Sequence, residues 1–184
     1  MHMKNSKSKM REYIILVDPS DKKIGLAEKI LVHQYAMLHR AFSILIYRKC
    51  KGKIEFLLQK RNKNKYHTGG LWTNTCCGHL HANEKISLAA KKRLQEEMGL
   101  SLTLKKIGVF HYVAALKNKL YENEIDHVFI GELNDDKINF NKSEVEDYCW
   151  ISPISLKKML LIHPQRYTPW LAQVLKLALT HIKK

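Results

Sequence analysis

Residues 78–100 read GHLHANEKISLAAKKRLQEEMGL and contain the clearest structural signal in the chain. From Ser87 onward the residues are mostly good helix formers, with Ser87 placed to cap the start of a helix and Gly99 placed to end it. We therefore predict one helix from about Ser87 to Met98. The glycine, asparagine and histidine residues before it predict a loop that leads into this helix.

Three charged side chains share one face of the predicted helix, because Arg93 precedes Glu96 by three residues and Glu97 by four. Ordinary ion pairs on a solvated face would explain a lone Glu-Glu pair. Here Gly78 and Glu84 stand upstream at the spacing G-x5-E-x7-KRLQEEMGL. That complete pattern resembles the Nudix box, in which hard carboxylate oxygens hold Mg²⁺ or Mn²⁺ against a diphosphate.

The composition predicts one globular domain that binds an anionic partner. The chain has 184 residues with 45% hydrophobic and 9% aromatic content, which is enough to form a core and excludes disorder over most of its length. Its 32 basic and 17 acidic residues give a net charge of +15. This excess favours an anionic partner, which could be a nucleic acid, an anionic membrane surface or a phosphorylated small molecule.

The four cysteines, at positions 50, 76, 77 and 149, form no CxxC repeat and no disulfide framework, which is typical of a reducing compartment. The first apolar run, 13–17, is too short for a signal-peptide core, and no segment approaches the roughly 20 apolar residues that span a bilayer. We expect a cytoplasmic protein with a mobile tail at 1–10 and a single domain over 11–184.

The other segments predict mostly strands. Tyr13 to Val17 reads as a first strand, followed by a turn and a polar connection to His39. A hairpin is predicted with its turn at Gly52, and the segment 60–84 is predicted to be a long functional loop. The further predicted strands are 41–47, 54–59, 102–116, 124–133 and 147–152, and the further helices are 155–162 and one from Thr168 with Pro169 in its first turn. This order favours an α+β domain.

The helix departs from the hydrolase form of the Nudix box, because Lys92-Arg93 replaces the usual Arg-Glu pair and removes a carboxylate that activates water. The chain resembles type I isopentenyl-diphosphate isomerases over roughly 13–170. The motifs that carry this resemblance are EKILVH (28–33), LHRAFS (38–43), LWTNTCCGH (71–79), the modified helix, YENE (121–124) and TPW (168–170). The resemblance implies a Nudix-type mixed sheet flanked by helices, and interconversion of isopentenyl and dimethylallyl diphosphate through a tertiary carbocation-like state.

Two carboxylates one residue apart, Glu122 and Glu124, project from the same face if their segment is extended. Like charges at this spacing raise a pKa or attract a cation. The resemblance adds His33, His39 and His79, giving a five-ligand site of nitrogen and oxygen donors that suits Mn²⁺ or Zn²⁺. By the same resemblance Glu97 is the ligand of the Mg²⁺ that accompanies the substrate. Without the resemblance, the scattered histidines would be interpreted as surface residues.

The resemblance also assigns the reacting groups. Cys77 and Glu124 are the expected acid and base, Tyr112 assists, and the indole of Trp170 stabilises the passing cation. From the residues alone, Trp170 would more simply pack the last helix onto the core. An extended segment would point Cys76 and Cys77 to opposite sides, and Cys76 is predicted to be structural.

The positions that match the phosphate-contacting residues of the family are Lys29, Arg61, Lys65 and Arg93, where arginine offers a bidentate fork to the oxygens. Two alternatives stay open. A Nudix pyrophosphohydrolase would need a carboxylate at position 93, and a nucleic-acid-binding module would need its basic residues gathered on one face. We expect a monomer that binds an isoprenoid diphosphate, with no nucleic-acid or membrane partner.

Overall fold

The computed structural model describes residues 12–134 and 137–182, so the predicted mobile tail at 1–10 lies outside the described residues. Within these ranges the chain forms one mixed sheet of nine strands and four α-helices. The strands are β1 (Tyr13–Val17), β2 (Lys23–Glu28), β3 (His39–Cys50), β4 (Lys53–Arg61), β5 (Trp72–Thr73), β6 (Cys76–His79), β7 (Lys105–Ala115), β8 (Tyr121–Glu132) and β9 (Val145–Ile151). The helices are α1 (Lys29–Gln34), α2 (Ile86–Met98), α3 (Pro153–Ile162) and α4 (Leu171–Ile182).

Strand β3 is the centre of the sheet. It pairs in parallel with β8 along one edge, and on its other edge it pairs antiparallel with β6 near its start and with β4 near its end. Strand β9 extends the sheet beyond β4, and β7 extends it beyond β8. This pairing brings the end of β6 and the start of β8 to either side of the start of β3.

The two faces of the sheet are covered by different helices. Ile44 and Ile46 of β3 pack in the cluster that contains Leu94 of α2, whereas Leu45 packs in the cluster that contains Leu171 of α4. The alternation follows from the pleat of a strand, which points successive side chains to opposite faces. The predicted α+β architecture, with a mixed sheet flanked by helices, is confirmed.

Several predicted elements are confirmed, with shifted bounds. The hairpin of β3 and β4 turns at Lys51 and Gly52, both with positive φ, as a two-residue hairpin turn requires. Gly99 ends α2 in the left-handed conformation at φ 68°. The predicted cap at Ser87 is wrong, because α2 begins at Ile86 and Lys85 occupies its N-cap. The last helix begins at Leu171 rather than at Thr168, which lies in the preceding turn.

The sequence did not predict β2, α1, β5 or β6. Strand β2 pairs only with β1 and is mostly solvent-exposed, so it lacks the apolar alternation that marks a buried strand. Helix α1 has six residues, too few for a helical period to be recognised. Strands β5 and β6 interrupt the segment 60–84, so the prediction of one long loop there is wrong. No helix within the described ranges is long and apolar enough to cross a membrane.

Candidate active site

Five metal-ligating side chains meet at the start of β3. His39 is the first residue of β3 and lies opposite Glu124 of β8, while His79 at the end of β6 lies opposite Ala41. Glu122 projects from the same strand as Glu124, two residues earlier, and the short helix α1 contributes His33. One ligand atom from each of the five residues lies within 4.8 Å of all the others.

The contacts within this cluster join ring nitrogens to carboxylate oxygens. His33 Nε2 lies 3.2 Å from Glu122 Oε2, and His39 Nε2 lies 3.2 Å from Glu124 Oε1. His79 Nε2 lies 2.8 Å from the same Glu124 oxygen. His33, His39 and Glu122 are almost fully buried, so this cluster is closed to bulk water on most sides.

Backbone carbonyls fix the tautomers of two histidines. His33 Nδ1 donates to the carbonyl oxygen of Lys29 at 2.6 Å, and His39 Nδ1 donates to that of Met37 at 2.9 Å. Because a carbonyl oxygen only accepts, Nδ1 carries the proton in both rings and the neutral ring presents a lone pair at Nε2. Carbonyl contacts of this kind orient metal-binding histidines in many proteins.

The cluster fits a divalent cation. Burial lowers the pKa of His33, and burial lowers the pKa of His79 to about 3, so these rings are neutral and their lone pairs are available. Burial also raises the pKa of Glu122 well above its usual value, and the nearby charge of Glu124 raises it further. Glu122 Oε2 is buried without a hydrogen-bond partner. A bound cation would satisfy that oxygen and the converging lone pairs together.

A cavity of about 290 Å³ opens beside this cluster. It brings together the predicted reacting groups and the predicted phosphate-binding groups. Its lining includes Lys29, Arg61, Lys65, Cys77, His79, Arg93, Glu97, Tyr112, Glu122, Glu124 and Trp170. The other two predicted ligands, His33 and His39, lie behind this lining and reach the site through Glu122 and Glu124.

Cys77 faces this cavity from β6, which is a strand rather than the predicted loop. Cys76 packs in the core cluster on the α2 side, so the two thiols point to opposite faces of the strand as predicted. Burial raises the pKa of the Cys77 thiol to about 12, although the charge of Arg61 acts in the opposite direction. Arg61 Nη1 lies 3.7 Å from the sulfur. The thiol therefore retains its proton before substrate enters.

Glu124 and Tyr112 form a hydrogen-bonded pair across β7 and β8. The Tyr112 hydroxyl donates to Glu124 Oε2 at 2.6 Å, while the other carboxylate oxygen faces the histidines. Burial raises the pKa of Tyr112 well above its usual value, so the phenol remains a donor. The Trp170 ring lies 6.0 Å from the Tyr112 ring and its Nε1 donates to Asn74 at 3.0 Å, which fixes the indole on the cavity wall.

Part of the cavity lining is cationic. Arg61 is 7% exposed, and its Nε is buried without a hydrogen-bond partner. Arg93 Nη2 contacts Glu97 Oε1 at 2.6 Å and Glu144 Oε2 at 2.7 Å, and Lys65 also pairs with Glu144. A buried guanidinium with an unused donor is a natural site for an anion, since an uncompensated buried charge is unfavourable.

Glu97 is buried beneath these cations. Gln59 Nε2 donates to Glu97 Oε2 at 2.7 Å, and Arg93 occupies the other oxygen. Lys29 also lines the cavity, and its Nζ pairs with Glu12 at 3.0 Å. All four cations that the sequence predicted for phosphate binding thus reach one cavity, and the carboxylate predicted for Mg²⁺ lies among them.

Sequence reasoning missed three residues of this site. His67 is buried and stacks on His33 with ring centroids 5.2 Å apart, and its Nδ1 lies 3.6 Å from Glu122 Oε1. Tyr66 contacts His33 through its hydroxyl at 3.3 Å, and Glu144 bridges Lys65 and Arg93. Tyr66 and His67 lie in the segment 60–84, which was predicted to be functional, but no pattern distinguished them within it. Glu144 lies in a polar stretch between two predicted strands, which does not distinguish site residues from solvated ones.

Comparison with protein families matches residues 37–174 to the NUDIX domain. Among solved structures, the protein DR0079 of Deinococcus radiodurans has a TM-score of 0.73 at 14% identity, covering 90% of this chain and 98% of its own. A MutT protein of Methanosarcina mazei has a TM-score of 0.62 at 21% identity, covering 80% of this chain and 96% of its own. At such identities these structures establish the fold alone, which is the Nudix fold.

Relatives of higher identity define the family within this fold. Isopentenyl-diphosphate Delta-isomerase 2 of Photorhabdus laumondii is 46% identical over 90% of this chain and 92% of its own length. Isopentenyl-diphosphate Delta-isomerase of Photobacterium profundum is 42% identical over 94% of this chain and 97% of its own. The chain therefore belongs to the isopentenyl-diphosphate Delta-isomerase family of Nudix enzymes.

Proposed function

We propose that this enzyme interconverts isopentenyl and dimethylallyl diphosphate by adding a proton to one carbon and removing a proton from another. The observation that carries this proposal is that Cys77 and Glu124 line the same cavity as Arg61, Lys65 and Arg93. Proton-transfer groups and cations that share one small cavity match a short alkene joined to a diphosphate.

The reaction as proposed conserves protons. A proton added to the terminal alkene carbon leaves positive charge on the tertiary carbon, and loss of a proton from the neighbouring CH₂ group forms the new double bond. One of Cys77 and Glu124 gives the first proton and the other takes the second. Tyr112 orients Glu124 by donating to one of its oxygens. The electron-rich indole of Trp170 faces the developing charge, and such contacts contribute about 2 kcal/mol when desolvated.

Two metal ions belong to this proposal. We propose that His33, His39, His79, Glu122 and Glu124 hold Mn²⁺ or Zn²⁺, and that Glu97 holds the Mg²⁺ that arrives with the diphosphate. Bound cations supply positive charge that fixes the ligating carboxylates and neutralises phosphate oxygens. The protein residues complete the anion site, because Arg61 has an unused buried donor and Lys65 and Arg93 can exchange their carboxylate partners for phosphate.

Purified protein with Mg²⁺ and isopentenyl diphosphate in deuterated water tests this function. We expect deuterium to enter dimethylallyl diphosphate, because the proton added to the alkene comes from a group that exchanges with solvent. The readout is mass spectrometry of the allylic product. A protein that released phosphate from nucleoside diphosphate derivatives and left isopentenyl diphosphate unlabelled would be a pyrophosphohydrolase, and the proposal would be wrong.

We propose that His67 orients two of the metal ligands, His33 and Glu122, without binding the metal itself. Its ring covers His33 and approaches Glu122, so His67→Ala removes the packing that orients both ligands. We expect Mn²⁺ or Zn²⁺ affinity to fall by about 10–100-fold, the usual effect of losing a group that orients metal ligands. Competition with a chelator of known affinity measures this directly.

The matched control is His111→Ala, which removes an exposed histidine that bonds Asn123 outside the cavity. We expect this variant to bind the metal with unchanged affinity. Unchanged affinity in the His67 variant would show that the ring only fills space. A lowered unfolding midpoint of the metal-free His67 variant would likewise assign it to the fold rather than to the site.

A further inference from the structure

The excess positive charge of the chain is unevenly distributed. From Tyr148 to Lys184 the sequence contains six lysine and arginine residues and no aspartate or glutamate, and the last acidic residue is Asp147. This acid-free segment includes α3 and α4. The cavity described above uses none of these six cations, so the proposed reaction does not account for them.

The outer face of α3 is apolar as well as basic. Ile154 is 82% exposed and Leu161 is 83% exposed, the two highest values among the large apolar side chains of the described residues. Residues 154, 158 and 161 follow the i, i+4, i+7 spacing of one helical face, and Lys157 and Lys158 lie exposed between the apolar pair. Ile162, at 53% exposure, extends the apolar end of this face.

A groove between α3 and α4 adjoins this face and has a volume of about 490 Å³. It is lined by Leu160, Leu161, Leu175 and Leu179, with Lys157 and Lys176 beside them. Among the described residues, this groove and the catalytic cavity have no lining residue in common. The face and the groove together are called the α3–α4 surface below.

We propose that the α3–α4 surface docks the protein peripherally on the surface of an anionic lipid bilayer. Protruding apolar side chains can enter the boundary between head groups and acyl chains, and the lysines beside them can pair with lipid phosphates. The sequence analysis predicted no membrane partner, and this proposal departs from that prediction. The absence of a segment that could span a bilayer does not exclude peripheral docking, which requires no such segment.

A second copy of the chain is a poorer occupant. A two-fold dimer on this surface would bring the patch that carries Lys157, Lys158 and Lys176 against the same patch of the second copy, with no acidic residue in the segment to pair with these lysines. Like charges face to face oppose association. An anionic bilayer provides an apolar layer for the exposed side chains of this surface and negative charge for its lysines.

The test uses the full chain and vesicles of phosphatidylcholine with about one-third phosphatidylglycerol, at about 0.1 M salt where surface charges act over roughly 10 Å. Binding is measured by vesicle flotation. The first double variant, Ile154→Ser with Leu161→Ser, removes apolar side chains from the surface, and its control is Ile24→Ser with Leu88→Ser. The second, Lys157→Gln with Lys158→Gln, removes positive charge, and its control is Lys105→Gln with Lys106→Gln. All eight positions are exposed.

We expect the wild-type protein to bind these vesicles and the serine pair on α3 to bind at least about tenfold more weakly, since apolar side chains no longer leave water. The glutamine pair on α3 should weaken binding about thirtyfold, since each lysine near an anionic surface contributes about fivefold. Both control pairs should stay within about twofold of wild type. Isomerase activity of the α3 variants should be unchanged, because the surface is separate from the cavity.

Three results would overturn the proposal. The first is wild-type protein that does not float with the vesicles. The second is equal weakening by both glutamine pairs with no effect of the α3 serine pair, since binding would then depend only on overall charge. The third is a concentration-dependent dimer in analytical ultracentrifugation that the α3 serine pair abolishes, since a second copy would then cover this surface.

Discussion

We expect the replacement of Cys77 by alanine to lower isomerase turnover at least about a thousandfold, the scale that a positioned proton donor or acceptor contributes. Cys77 is half-buried in the cavity wall, and its thiol keeps its proton because desolvation raises its pKa to about 12. Alanine lacks only the thiol group and fits the extended backbone of β6, so the exchangeable proton is lost while the strand can stay in place. Turnover is measured as deuterium incorporation into dimethylallyl diphosphate.

The neighbouring cysteine provides the control. Cys76→Ala removes a thiol one residue away that packs on the opposite face of the same strand, and we expect near wild-type turnover. Binding of inorganic diphosphate with Mg²⁺ should be retained in both variants, since neither thiol is among the proposed phosphate-binding groups. Full activity in the Cys77 variant would remove the thiol from the mechanism, whatever the behaviour of the control.

The second large effect is expected from Glu124→Gln. Glu124 contacts His39, His79 and Tyr112, so the change removes a proposed metal ligand and a proposed proton-transfer group together. We expect turnover to fall at least about a thousandfold and affinity for Mn²⁺ or Zn²⁺ to fall by at least about tenfold. Chelator competition and the deuterium assay measure the two losses separately.

Glu132→Gln is the matched change on the same strand. Glu132 lies at the far end of β8, where it accepts a hydrogen bond from Tyr47 and pairs with Lys49. We expect this variant to keep its metal and its activity. If Glu124→Gln retained turnover while losing the metal, the carboxylate would be a ligand only, and the proton acceptor would have to be sought elsewhere in the cavity.

Local patterns in the sequence predicted much of the fold. Helix α2 followed from its composition and its glycine stop, and the β3–β4 hairpin followed from two apolar runs around Gly52. Glu122 and Glu124 were predicted to share one face if their segment is extended, and β8 is extended there. These features depend on interactions between residues a few positions apart, so the local sequence is enough to predict them.

The assembly of the site was not visible in the same way. His39 meets Glu124 only because β3 and β8 pair in parallel with these two residues in register, and the sequence does not state that register. The resemblance to a known family supplied it. His67 and Glu144 matched no quoted motif and therefore stayed among the polar turn residues. The monomeric state and the cytoplasmic location stay predictions.

The distance along the chain between the ligands has a consequence for how the enzyme matures. His39 and Glu124 are 85 residues apart, so the ion-binding cage cannot exist until the central strands have found each other. A newly made chain would bind the proposed Mn²⁺ or Zn²⁺ late, after the slow long-range pairing is complete. The ion would then favour the finished topology over partly assembled ones, since it binds only the former.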